Sequence, residues 1–177
     1  MTDRKKGRMH SGDIELALAT HINERQNLIV PNVFWGLGFK YELDMMVVTQ
    51  NKYAWEIEIK ITKSDLKADL KKKHGHYSNR IKRLYFAVPE ELKDEALKLI
   101  PERAGLFIVN KPGFYTCNGR RIYKPQVELI KAPKINMNAR KLNDEEILKL
   151  YQLAAMRIWS LKRCIYNLQK QTPSREE

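Results

Sequence analysis

Residues 41–60, YELDMMVVTQNKYAWEIEIK, constrain the fold more than any other stretch, because two runs alternate with the period of two that a β-strand requires. In the first run Glu42, Asp44, Met46 and Val48 share one face, and Tyr41, Leu43, Met45 and Val47 share the other. In the second, Ala54, Glu56, Glu58 and Lys60 oppose Tyr53, Trp55, Ile57, Ile59 and Ile61. The apolar halves belong together in a core. That fixes the register, since a one-residue slip would send the two acidic rows to opposite faces. With Gln50–Lys52 as the loop, Asp44 falls directly across from Glu58, about 5 Å apart at Cβ.

Two facing carboxylates repel unless a cation lies between them. Carboxylate oxygens at that spacing suit Mg²⁺ (or Mn²⁺), so Asp44 and Glu58 are candidate ligands, with the Ile59 carbonyl beside them. Lys60 points at the same spot and would hold a phosphate or orient an attacking water. This set fits hydrolysis of a phosphodiester, in which a metal generates hydroxide and basic groups hold the backbone. The same alternation also fits an exposed hairpin with cross-strand pairs such as Glu42 with Lys60. Glu42 and Glu56 read as bystanders on either view.

The chain carries a formal charge of +12, unevenly spread. Residues 60–85 hold nine Lys/Arg against two Asp, and residues 111–141 hold eight against one Glu, a net of +7 in each stretch. Concentrated positive charge suits a polyanion, because every neutralised phosphate releases condensed counterions. A solvated basic surface is the alternative. No apolar run is long enough to span a bilayer, and no apolar stretch follows the basic arm MTDRKKGRMH as a secretory signal would require. Cys117 and Cys164 match no zinc-ligand spacing and fit a reducing compartment, so a cytoplasmic protein is expected.

Along the chain, the pattern predicts a helix in SGDIELALATHINER with Ser11 as N-cap and Ile14, Ala17, Leu18 and Ile22 on its apolar face. After a strand near Leu28–Val30 and the hairpin comes a helix in TKSDLKADLKKK, with Ser64 as N-cap. On it Lys63, Lys67 and Lys71 fall on one stripe; with Lys72, Lys73 and His76 they would follow a phosphate backbone. They also fit a solvated face whose lysines pair with Asp65 and Asp69. RLYFAV and GLFIV read as strands on either side of a short helix near 91–99, and Asn118-Gly119 as a type I′ hairpin turn. Residues 143–171 read as one long helix: Ile147, Tyr151, Ala154, Ile158, Leu161, Ile165 and Leu168 keep the alternate four–three spacing of a coiled-coil seam. That stripe either covers the domain's own sheet or forms a homodimer contact. The expected organisation is a domain over 1–142 with a basic arm at 1–10, the helix, and a tail at 172–177.

The quoted residues resemble the PD-(D/E)XK nuclease superfamily, with Asp44 as the first element and Glu58-Ile59-Lys60 as the triplet. The run EIKITKSDLKADLKKKHGHYSNRIKRLYFAVPEEL is similar to the MmcB-related branch, associated with DNA repair, and the likeness covers about residues 11–110. Leu43 stands where the name-giving Pro would be. The resemblance implies an α/β, restriction-endonuclease-like mixed sheet flanked by helices, and an acid from the first helix, a place that Glu15 occupies. It implies a Mg²⁺- or Mn²⁺-dependent DNA nuclease acting in repair or on phage or mobile-element DNA. The alternative is a DNA-binding accessory that keeps the fold without turnover. No G-x-S-x-G elbow, Walker A run or Rossmann glycine fingerprint competes with that reading.

Overall fold

A computed structural model describes residues 9–69 and 76–171. The hairpin forms from β2 (Leu43–Val48) and β3 (Ala54–Ile59), paired antiparallel as Met45 with Ile57, Met46 with Glu56, Val47 with Trp55 and Val48 with Ala54. Thr49 N–H continues the ladder to Tyr53 O at 2.9 Å, which leaves Gln50–Lys52 as the turn. Extended one step the other way, this register sets Asp44 opposite Glu58. The register expected from side-chain parity is the one observed.

The remaining strands are β1 (Leu28–Val33), β4 (Ile81–Pro89), β5 (Gly105–Cys117) and β6 (Arg120–Lys131). All six stand in sequence order in one mixed sheet. β3, β4 and β5 run parallel, while β1–β2, β2–β3 and β5–β6 are antiparallel. Parallel neighbours need crossovers, which are supplied by α2 (Lys63–Asp69) and by a 3₁₀ turn (Glu90–Leu92) followed by α3 (Lys93–Leu99). Both crossover helices cover one face of the sheet, and the N-terminal helix covers the other, so the parallel strands are buried on both sides.

One face meets α1 (Ser11–Ile22): Ile14, Ala17, Leu18 and Ile22 pack against Met45, Val47, Ile57, Ile59, Tyr85, Ala87, Phe107 and Val109. The opposite parity faces two further apolar clusters. Met46, Val48, Ala54 and Ile81 pack with Leu142, Leu150 and Leu153. Leu84, Phe86, Val88, Leu106 and Ile108 pack with Leu66, Ala96 and Ile100. The single solvated face that an amphipathic hairpin would have is therefore absent from β3. Leu43 also departs from parity, packing with Met46 rather than Met45.

Two helix caps differ from expectation. His10 caps α1, its N–H donating to Asp13 Oδ2 at 2.8 Å, so Ser11 is the first helical residue. Thr62 Oγ1 accepts the Asp65 N–H at 3.1 Å, taking the capping role expected of Ser64.

The last helix, α4 (Asp144–Gln171), opens with a reciprocal cap: Asn143 Oδ1 accepts Glu146 N–H at 2.8 Å, and Glu146 Oε2 accepts Asn143 N–H at 3.0 Å. Arg140 and Arg80 clasp the same Glu146 carboxylate, and Arg140 holds its pKa down at about 2. Leu150 and Leu153 are buried, with Ile147 and Ala154 beside them. Beyond them Arg157 Nη2 donates to Asn32 O at 2.6 Å, while Ile158, Leu161, Ile165 and Leu168 are exposed. No helix among the described residues is long and apolar enough to cross a membrane.

Candidate functional site

The acidic row of β3 lies on the sheet face between the two apolar clusters, and its charges are compensated from three directions. Lys60, just past the end of β3, keeps the parallel pairing through its N–H to Ala87 O at 3.0 Å. Its Nζ stands 2.6 Å from Glu58 Oε2, 3.2 Å from Asp44 Oδ2 and 3.6 Å from Asp69 Oδ1. Burial alone would lower the Lys60 pKa, but the charges of Glu58 and Asp44 outweigh it and raise it. Lys60 is therefore a fixed ammonium at neutral pH. Asp44 Oδ2 also accepts the Ile59 N–H at 2.8 Å, so Ile59 contributes its amide to the cluster.

Deeper in, His76 fills the space between strands and α2. Its Nδ1 stands 2.6 Å from Glu56 Oε1 and 3.8 Å from Glu58 Oε1, and its Nε2 2.8 Å from Asp69 Oδ2. Burial opposes protonation of this ring, but hydrogen bonds to Asp69 and Glu56 win and bring its pKa to about 9. Both ring nitrogens then donate, each to a carboxylate. Tyr41 donates its hydroxyl to Glu56 Oε2 at 3.2 Å, and burial followed by the Glu56 charge raises the phenol's pKa. Arg103 Nη2 donates to the His76 carbonyl at 2.9 Å, anchoring the backbone where φ is +57°.

Access is graded. The Asp44 side chain is 35% exposed, Lys60 9% and Glu58 1%. Glu15, on α1, is half-buried; burial and then the Asp44 charge raise its pKa, with Arg157 opposing. The structure thus brings Asp44, Glu58 and Lys60 into direct contact and sets Glu15 within electrostatic reach of Asp44.

Other expected positions fall elsewhere. His76, read from sequence as part of a DNA-following stripe, is buried inside the cluster, because both its ring nitrogens are taken by interior carboxylates. Glu56, read as a bystander, is fully buried at its centre. Lys63 and Lys67 are exposed, and Lys63 pairs with Glu95 of α3 at 2.9 Å. Lys71, Lys72 and Lys73 lie outside the described residues. Asp69 was missed in the sequence although a signal was there: it follows Leu66 by three on the inward stripe of α2. Tyr77 is 76% exposed, with the Arg103 guanidinium 4.2 Å from its ring centre.

The donor set is compatible with a divalent cation. Asp44 and Glu58 offer hard carboxylate oxygens around a shared point, and the ammonium of Lys60 sits between them. Glu56, Glu58 and His76 also cluster with ligand atoms within 4.8 Å of one another, but His76 donates from both ring nitrogens and has no lone pair to give a metal.

The fold is a mixed six-stranded α/β sheet in which Lys60, just past β3, meets Glu58 of that strand and Asp44 of its neighbour β2. The family model described as DNA repair protein MmcB-like matches residues 16–162, and the chain belongs to that MmcB-like family. A role in DNA repair follows from that membership. The matched region contains Asp44, Glu58, Lys60, Asp69 and His76 and starts one residue after Glu15. Among solved structures, SPO1766, a protein of unknown function from Silicibacter pomeroyi, is similar at 20% identity and a TM-score of 0.57, over 95% of this chain and 98% of that one. That likeness is one of fold. No curated protein matches the chain.

Proposed function

We propose that this protein hydrolyses phosphodiester bonds of DNA during repair, using a divalent cation held by Asp44 and Glu58 on a PD-(D/E)XK-type sheet. The supporting observation is the meeting of Asp44 and Glu58, from facing strand positions, at the ammonium of Lys60. A bound Mg²⁺ or Mn²⁺ would lower the pKa of a water and neutralise developing charge on the phosphate. Lys60, held as an ammonium by its carboxylates, contributes charge rather than taking a proton. Glu15 adds a further carboxylate beside Asp44, and His76 with Asp69 fixes the acids behind them.

A second reading, a DNA-binding accessory without turnover, is favoured by one observation. Lys60 already bridges both carboxylates, and Glu58 is almost fully buried. Incubating wild type and Asp44→Ala with plasmid and single-stranded DNA in Mg²⁺, Mn²⁺ or EDTA separates the two. Metal-dependent cutting that disappears in the variant supports the nuclease; salt-sensitive binding with no cutting on either substrate overturns it in favour of the accessory.

The exposed half of α4 supports a homodimer contact. Ile158 and Ile165 alternate with Leu161 and Leu168, all between 53% and 64% exposed. Ile at one core position and Leu at the other favour two strands in a parallel coiled coil.

A further inference from the structure

Resting on the reading that the partner is DNA, we propose that the outer half of the β5–β6 hairpin is a basic ribbon that lies in a groove of duplex DNA. β4 pairs with β5 only from Gly105 to Val109, whereas β6 follows β5 as far as Cys117 with Arg120. Residues 110–126 thus extend past the sheet as two strands paired only with each other. The eight residues from Asn110 to Cys117, at about 3.3 Å each, give the ribbon a reach of roughly 26 Å. A two-stranded ribbon is one of the shapes the major groove admits. Its tip is tight, since Asn118 (φ +49°) and Gly119 (φ +73°) both adopt the left-handed conformation of a type I′ turn.

The charge on this ribbon is of one sign. Residues 110–127 contain Lys111, Arg120, Arg121 and Lys124 and no acid. Lys111, Arg120 and Lys124 are exposed, and no carboxylate among the described residues pairs with any of them. Lys52, Lys63 and Lys134, by contrast, each pair with an acid on another part of the chain.

The two faces of the ribbon also differ. Phe114 and Tyr123 pair across the strands, ring centroids 6.0 Å apart, and the charge of Asp13 reaches Tyr123 from the first turn of α1. Alternation puts Arg120, Ile122 and Lys124 on the other face. Tyr123 is half-buried, Phe114 is exposed, and Arg120 and Lys124 alternate onto the face opposite Tyr123, which presents two exposed cations to the phosphates lining a duplex groove. The same α1 carries Glu15 toward Asp44, so the ribbon and the carboxylate cluster flank one helix.

The test is fluorescence anisotropy of a labelled duplex of about two helical turns, titrated with protein between roughly 50 and 200 mM KCl. Three proteins are compared: wild type, Lys111→Ala/Arg120→Ala/Lys124→Ala, and Lys63→Ala/Lys67→Ala on α2. The ribbon variant should bind at least about tenfold more weakly, and its plot of log K against log salt should be shallower by about 2–3, near 0.9 for each phosphate that is no longer neutralised. The α2 variant should weaken less per charge removed. Unchanged affinity and slope in the ribbon variant, with wild type binding, would overturn the ribbon assignment alone. Equal weakening per charge in both variants would reduce the effect to net charge and overturn it too. Failure of wild type to bind the duplex would remove the DNA reading on which it rests. Circular dichroism melting of each variant checks that the fold is retained.

Discussion

Replacing Lys60 by Met removes one ammonium while keeping most of its stem, so the change in stability reads the charge cluster rather than the packing. The cation removed stands 2.6 Å from Glu58, 3.2 Å from Asp44 and 3.6 Å from Asp69. Glu58, 1% exposed, has no room to exchange that partner for water. Breaking a buried ion pair at one partner costs about 3–5 kcal/mol, because the surviving charge is left uncompensated. Asp44, 35% exposed, can rehydrate, which places the expected loss in the lower half of that range, about 3–4 kcal/mol. At roughly 2–4 °C per kcal/mol for a chain of this size, the melting temperature should fall by about 6–16 °C in EDTA.

Mg²⁺ supplies the second half of the test. On the proposed metal site, a dication in wild type would compete with the ammonium for the oxygens of Asp44 and Glu58, and in Lys60→Met it would not. Added Mg²⁺ should therefore raise the melting temperature of Lys60→Met more than that of wild type, since a ligand of the folded state stabilises in proportion to the logarithm of its saturation. Differential scanning fluorimetry and circular dichroism both read this. A loss in EDTA below about 1 kcal/mol would show that the ammonium does not compensate the acids. A Mg²⁺ response no larger than that of wild type would refute the shared position. The double variant Glu58→Gln/Lys60→Met should recover part of the loss, because it leaves Glu58 no buried charge to strand.

Three other outcomes are expected. A Cβ on residue 105 would lie 2.7 Å from Tyr85 Cδ1 and 2.9 Å from both Lys131 O and Pro133 Cδ, so Gly105→Ala should cost about 1–3 kcal/mol by chemical denaturation. His76 has a folded pKa raised to about 9 from its ordinary 6.5, so its contribution is fully present below 6.5 and lost as pH rises through 9. Wild-type melting temperatures should fall across that window, and His76→Gln should flatten the decline; equal slopes in the two proteins would refute the assignment. Sedimentation equilibrium should give twice the 20.9 kDa chain mass for wild type and the single-chain mass for Leu161→Glu, and a monomeric wild type would remove the dimer.

The hairpin register could be read from residues 41–60 because it depends only on parity, and parity is local. What lies over each face is not local. β3 is covered on the side of Glu56 and Glu58 because β4 returns parallel to it through α2, and nothing between positions 54 and 60 encodes that crossover. The same alternation serves a strand at the surface and a strand in the interior, so the acids looked partly solvent-facing when they are among the most buried groups of the fold. Their compensation comes from outside the hairpin. His76 meets Glu56 across 20 positions of sequence, and Asp69 reaches both His76 and Lys60 from α2. The stripe on α4 shows the same limit: one four–three pattern runs from Ile147 to Leu168, yet its first part packs on Met46 and Val48 while the rest faces outward. Since the acidic row is held by groups remote in sequence, the geometry of Asp44 and Glu58 depends on Asp69 and His76 as much as on their own strands. A substitution at Asp69, which the hairpin motif does not include, should therefore disturb the carboxylate–lysine contact as surely as one at Lys60.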